Sequence, residues 1–366
     1  MSCRLLYLIA ELRPGGSERQ LYYLLKSMDR VRHQPEVVVW SFKETDTYVS
    51  KIRALLVPIH SFPAGSSRAT KLMAFRRMIT QIRPQVVHSY SFHTNFAAFW
   101  ATRGTNTIAL GGVRSDFDWA KNDAGPLLAR LSGRWPRRQI FNSYTAAQSA
   151  RLSRSGFAPK ECLVVRNALD LECFPKVPLS SNGKVQLVGV GSLFPVKRWD
   201  RLILAAHALK QRGFDFSMLV VGGGPLHASL NEQARVLGLA DCIEFVGHSE
   251  NISQILAEAT FLVHTSEKEG CPNAVMEAMA CARAVVATDV GDIPYLLKDG
   301  KTGFVVPRGD DAMLVERMAT LISNRDLCKR MGEAGRAKAE REFGLGRLVS
   351  DTFAAYQAAG WNPPHQ

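Results

Sequence analysis

From its first residues almost to its last, the chain alternates short apolar, β-branched runs with longer segments of helical period. A strand buried on both faces reads as a continuous apolar run, and parallel neighbours need a helical crossover, so this alternation predicts parallel sheets covered by helices. Runs at 4–10, 36–41, 55–59, 85–89, 107–113, 139–142 and 162–165 predict seven strands in the first half. Runs at 185–190, 216–222, 242–246, 260–264, 284–288 and 303–306 predict six in the second. The expected class is α/β, with two doubly wound domains, which suits 366 residues at about 150 per domain. Pro175, Pro178, Ser180, Ser181, Asn182 and Gly183 break both periods and place the boundary within 167–184. The expected divisions are 1–170, 171–345, and a C-terminal helix and tail, 346–366, that packs back on the first domain. Open sheets of this kind bind ligands at the carboxyl ends of their strands, so residues directly after strands come under scrutiny.

Composition narrows the partners. With 46% hydrophobic and 22% charged residues the chain is a folded globular protein, and its net charge of +13 predicts something acidic nearby: a nucleotide, a lipid phosphate, a membrane surface or a nucleic acid. Arg130, Arg134, Arg137 and Arg138 form one basic stretch. Lys71, Arg76 and Arg77 lie in another, among Leu72, Met73 and Phe75. Each reads as a solvated helix face or as a contact with anionic lipid. No apolar run approaches the roughly 20 residues of a spanning helix, and the N-terminal run reads as a strand rather than a signal peptide, so any membrane contact is peripheral. Seven scattered cysteines without a C-x-x-C pair predict no zinc site, no disulfide framework and a cytoplasmic setting.

Four strand-end segments carry chemistry. Gly15 and Gly16 follow the first strand and open a helix, where backbone can approach an anion, although a ligand-free tight turn is an equal reading. A second strand-loop-helix unit, at 189–200, includes Ser192, Lys197 and Arg198 and puts the Lys197 ammonium at the sheet mouth, suited to a departing diphosphate. Gly222, Gly223 and Gly224 make a third turn without G-x-G-x-x-G spacing, which disfavours a nicotinamide dehydrogenase. The fourth segment, 264–280, places Glu269 in a loop with Gly270, Cys271 and Pro272. Asn273 is the expected N-cap, with Glu277 about one turn into the helix. Carboxylates accept from sugar hydroxyls and helix-end N–H groups suit phosphate, and a sugar nucleotide presents both.

Glu269 and Glu277 stand in a Glu-x7-Glu spacing. With the stretch 289–303 and the strand ends at 86–89, 141–143 and 166–170, it resembles glycosyltransferase family 4 over most of the chain. That resemblance implies the GT-B fold: two Rossmann-like domains facing across a cleft, the first on the acceptor side and the second on the donor side. It also implies retaining hexosyl or N-acetylhexosaminyl transfer from a UDP- or GDP-sugar to a glycan or polyprenyl-linked acceptor in polysaccharide or envelope biosynthesis, without metal or cofactor. By the same resemblance Lys197 holds the diphosphate, Glu277 the ribose, and Glu269 with the 270–273 backbone the sugar, while Gly15 and Gly16 approach the phosphates. Ser192 stands where an Arg is usual, leaving Arg198 as a substitute cation. Arg114 stands where many members carry an active-site His, with His93 and His88 as alternatives. Asp116 and Asp118 spell a D-x-D, which is not expected to hold metal in this architecture. The rivals are a GT-B sugar-nucleotide epimerase and a non-catalytic binder of nucleic acid or anionic membrane. No recognisable nucleic-acid module supports the latter.

Overall fold

A computed structural model describes residues 3–153, 157–179 and 184–363. The chain forms two units, one of residues 1–168 with 345–366 and the other of residues 169–344. Of the predicted linker residues, Ser180, Ser181, Asn182 and Gly183 lie outside the described residues.

The first unit carries strands β1 (Cys3–Ile9), β2 (His33–Val39), β3 (Ile59–His60), β4 (Val86–Ser89), β5 (Ile108–Val113), β6 (Arg138–Phe141) and β7 (Glu161–Val164). They lie side by side in the order β3-β2-β1-β4-β5-β6-β7, every pair parallel. The second unit carries β8 (Gln186–Val190), β9 (Ser217–Val221), β10 (Ile243–Gly247), β11 (Phe261–His264), β12 (Ala284–Thr288) and β13 (Phe304–Val306). Their order is β10-β9-β8-β11-β12-β13, again all parallel. Each sheet reverses its winding once, between β1 and β4 and between β8 and β11. A crevice opens at the carboxyl ends of strands at such a switch point.

Successive side chains of a strand point to opposite faces, and the cores follow that period. Phe261 and Val263 of β11 join Leu202, Ile203 and Leu314 in one buried cluster. Leu262 between them joins Val275, Met276 and Met279 in another. In the first unit Leu5, Tyr7 and Ile9 pack with Leu21 and Leu24, while Leu6 and Leu8 pack with Phe75 and Ile79. Helix Leu345–Ala358 buries Leu348, Ala355 and Tyr356 in that first cluster, and the Trp361 Nε1–H donates to Gln85 Oε1 at 2.8 Å.

Two strand expectations need correction. β2 begins at His33 rather than at 36, because Pro35 lies where β3 does not pair, so its missing N–H is not required there. The run at 55–59 is mostly a turn: Leu55 caps helix Thr47–Ala54, Leu56 has φ +56°, and only Ile59 and His60 pair. All seven cysteines are free.

The two basic stretches differ. Phe75 is fully buried, Lys71 Nζ donates to the Trp40 carbonyl at 2.7 Å, and Arg76 donates to the carbonyls of Trp100 and Arg103. Lys71, Phe75 and Arg76 are thus tied into their own unit, while Met73 and Arg77 are exposed. In the other, Arg134 and Arg137 flank the Trp135 ring and Leu127 is 72% exposed on helix Pro126–Arg134.

Candidate functional site

In the second unit, the loops after β8, β9, β11 and β12 meet at the switch point and are stitched together by backbone. Leu193 N–H donates to the Gly223 carbonyl at 2.9 Å, Glu267 N–H to Val196 at 2.8 Å, and Asp292 N–H to Gly270 at 2.9 Å. Thr265 Oγ1 donates to the carbonyls of Lys197 (3.0 Å) and Arg198 (3.1 Å), and Trp199 Nε1–H donates to Ser192 O at 2.9 Å. Only glycine fits two of these crossings. Gly222 has φ +148°, and a Cβ there would fall on the Gly191 carbonyl. Gly291, at φ +55°, would strike that of Gly270.

This scaffold brings Lys197 Nζ to 2.5 Å from Glu269 Oε1. Ser266 Oγ donates to the same oxygen at 2.7 Å and His264 Nε2 lies 3.0 Å from it. An ionised carboxylate only accepts, so His264 Nε2 carries the proton of that contact. The second ring nitrogen, Nδ1, is buried without a partner among the described residues. Burial by itself would raise the Glu269 carboxyl. The Lys197 charge, with hydrogen bonds from His264 and Lys197, outweighs it and holds the group well below the usual carboxylate range. Both partners are largely shielded, Lys197 at 23% and Glu269 at 12% side-chain exposure, so the pair is little screened.

The other donor residues expected in this unit lie on the same set of loops and on the helix that follows β11. Pro272, not Asn273, occupies the N-cap position of helix Asn273–Ala280. Proline supplies an extended backbone there without a capping side chain, and Asn273 is the first helical residue. Gly270 and Cys271 are buried in the preceding loop, and Glu277 is buried within that helix. Gly223 faces open space where a Cβ would stand, and Ser192 is exposed. Arg198, expected as a substitute phosphate cation, lies beside two carboxylates. Its Nη2 lies 2.9 Å from Asp200 and its Nη1 3.4 Å from Glu267, and its backbone is left-handed at φ +51°. His264 and Ser266 were given no role by sequence reasoning. The signal lay in their spacing, five and three residues before Glu269, at the end of β11 and in the loop that follows it.

In the first unit, Gly15 caps helix Gly16–Ser27 without a side-chain bond, and both glycines are exposed. Three residues into the turn, burial pushes the Glu18 carboxyl up to about 7, aided by the charges of Glu11 and Asp46 against its own N–H and Arg13. Protonated in both folded and unfolded chains below the usual 4.5, Glu18 is neutral to stability there. Between 4.5 and about 7 only the unfolded chain ionises freely, so the native state loses ground as pH rises. Glu18→Gln is therefore expected to stabilise the protein by about 1–3 kcal/mol above pH 7. The gain should vanish below pH 4.5 in urea unfolding curves.

His93 is half exposed and lies 3.4 Å from Asp123, on the surface turn Phe92–Thr94, whereas His88 is buried with Nδ1 2.9 Å from the Tyr356 hydroxyl. The Arg114 guanidinium stacks 4.2 Å from the Tyr90 ring. Asp116 accepts from Trp119 N–H as a helix cap and Asp118 pairs with Lys121, so the D-x-D carboxylates have protein partners.

Residues 15–168 match the family model described as glycosyl transferase 4-like domain, and residues 172–338 the one described as glycosyl transferases group 1. The chain is 26% identical over 347 residues to the alpha-maltose-1-phosphate synthase of Mycolicibacterium smegmatis, covering 82% of this chain and 86% of that one. It is 28% identical over 178 residues to the N-acetyl-alpha-D-glucosaminyl L-malate synthase of Bacillus anthracis. There the match covers 49% of this chain and spans only 46% of the relative's length. The structure of Anabaena Alr3699/HepE in complex with UDP-glucose superposes with a TM-score of 0.81 at 17% identity, over 97% of this chain and 99% of that one, a likeness of fold. With one glycosyltransferase model on each doubly wound unit and the Glu-x7-Glu pair set at a switch point, the chain belongs to glycosyltransferase family 4 and has the GT-B fold.

Proposed function

We propose that this protein transfers a hexosyl or N-acetylhexosaminyl group, with retention of configuration, from a nucleoside diphosphate sugar to a glycan or lipid-linked hydroxyl. The reading includes polysaccharide or envelope precursor synthesis at the cytoplasmic face of a membrane. The observation that carries it is the Lys197–Glu269 pair at the switch point of the second sheet. A cation beside a carboxylate matches the two halves of such a donor: the ammonium for the diphosphate, on which charge grows as the glycosidic bond breaks, and the carboxylate for sugar hydroxyls. Before a donor arrives, the two satisfy each other. Donor binding would exchange Glu269 for phosphate on Lys197 and release Glu269 Oε1 to accept from the sugar, while His264 and Ser266 keep the carboxylate in place.

UDP is the expected nucleotide, since the Anabaena relative is in complex with UDP-glucose. No metal is required in this reading, because Lys197 supplies the charge. Membrane contact is assigned to the stretch with Arg130, Arg134 and exposed Leu127. No helix among the described residues is long and apolar enough to cross a membrane.

Thermal unfolding with UDP, GDP and ADP tests the donor. At a hundred times its dissociation constant the right nucleotide stabilises the fold by about 2.7 kcal/mol. UDP is expected to give the largest shift, equal in EDTA and in magnesium. No shift with any of the three would sink the reading.

A further inference from the structure

At the carboxyl ends of β4, β5 and β6 the first unit holds a polar cluster to which no role has been assigned as a whole. Tyr7, His88, Tyr90 and Arg114 form a continuous chain of ring contacts. The Tyr7 and His88 ring centres are 6.0 Å apart, those of His88 and Tyr90 are 4.6 Å apart, and the Arg114 guanidinium lies 4.2 Å over Tyr90. The far end is closed by Tyr356, whose hydroxyl meets His88 Nδ1 at 2.9 Å and Tyr7 at 3.4 Å.

The near end is unfinished. Arg114 Nε and Nη1 are buried without a hydrogen-bond partner, and among the described residues no carboxylate pairs with this guanidinium. Removing a charge from water without a counter-charge is costly, and stacking on Tyr90 does not neutralise it. Arg114 is nevertheless only half-buried, so its charge reaches the surface. Three acceptor-capable atoms of the cluster are also unpaired: the hydroxyl of buried Tyr90, Asn142 Oδ1, in a residue 3% exposed, and His88 Nε2, in one 1% exposed. Asn142 is tied to the same place, its Nδ2 donating to the Arg114 carbonyl at 3.1 Å.

A guanidinium has donors alone and matches a carboxylate or phosphate, while an amide oxygen requires a donor such as a hydroxyl. One ligand class meets both demands. We infer that Arg114, Asn142 and His88 form a subsite for a hydroxylated anion, a uronate or a sugar phosphate, carried by one of the two sugar substrates. The inference rests on the glycosyl-transfer reading only for which molecule carries the anion.

Isothermal titration of the full chain with glucuronate, glucose 6-phosphate and glucose, with and without UDP, tests the subsite. At least one anion is expected to bind ten or more times more tightly than glucose, with Arg114→Gln abolishing the difference and Arg114→Lys keeping part of it. If the donor carries the anion, the free sugars will not discriminate, but UDP-glucuronate will bind at least ten times more tightly than UDP-glucose in an Arg114-dependent way. Absence of discrimination in both arms with the unaltered protein overturns the inference, as does discrimination that survives Arg114→Gln. UDP binding is read separately in the same cell. Its loss in the unaltered protein would strike the donor reading and leave the free-anion result standing.

Discussion

Lys197→Ala is expected to lower turnover by a hundredfold or more, about 2.7 kcal/mol, as the loss of one preorganised transition-state contact commonly does. The substitution also strips Glu269 of its nearest charge, leaving a buried carboxylate supported by Ser266 and His264. Some stability should be lost on that account, about 1–2 kcal/mol, less than for a fully buried pair because two donors remain. The double variant Lys197→Ala/Glu269→Gln separates the effects. Replacing the stranded carboxylate by an amide should restore the unfolding midpoint and leave turnover low. Steady-state kinetics beside urea unfolding would check both, and near-normal turnover in folded Lys197→Ala would remove Lys197 from the mechanism.

Gly222→Ala should act through the backbone and carry the largest stability loss of any single methyl added at this site. The residue sits at φ +148°, and its missing Cβ would occupy the space of the Gly191 carbonyl. Strain at such a dihedral and overpacking each cost about 1–3 kcal/mol, so a loss of about 2–6 kcal/mol is expected. Any relaxation must push the 191–198 loop, which positions Lys197, away from the β9 turn. The variant should thus show a lower melting temperature together with a smaller UDP-induced shift. Gly223→Ala, one residue on, faces open space and serves as the control, with unfolding expected close to the unaltered protein.

The strand count was legible because strands covered on both faces leave unbroken apolar runs. Val285, Val286 and Ala287 are all buried and read as strand without context. Errors fell where a local feature outweighed apolar composition, as at 55–58, where the chain turns before β3 pairs. Lys197 and Glu269 could each be singled out because both directly follow strands, but 72 residues separate them and no pattern in the sequence measures a distance. Arg198 shows the limit from the other side. One position from Lys197 and of the same charge, it meets different carboxylates, Asp200 and Glu267, and nothing in the order of residues tells the two cations apart in this respect.

The sequence by itself determined the α/β class, most of the parallel strands and the residues that follow them, since hydrophobic period and glycine turns are local properties. Tertiary structure alone decided that β8 and β11 lie side by side. It thereby set Lys197, His264 and Ser266 around one carboxylate oxygen, while the order of the other sheet gives Arg114 no carboxylate partner among the described residues. Charge compensation depends on which groups come within a few ångströms, and that follows from the order of strands in the sheet rather than from their order in the chain.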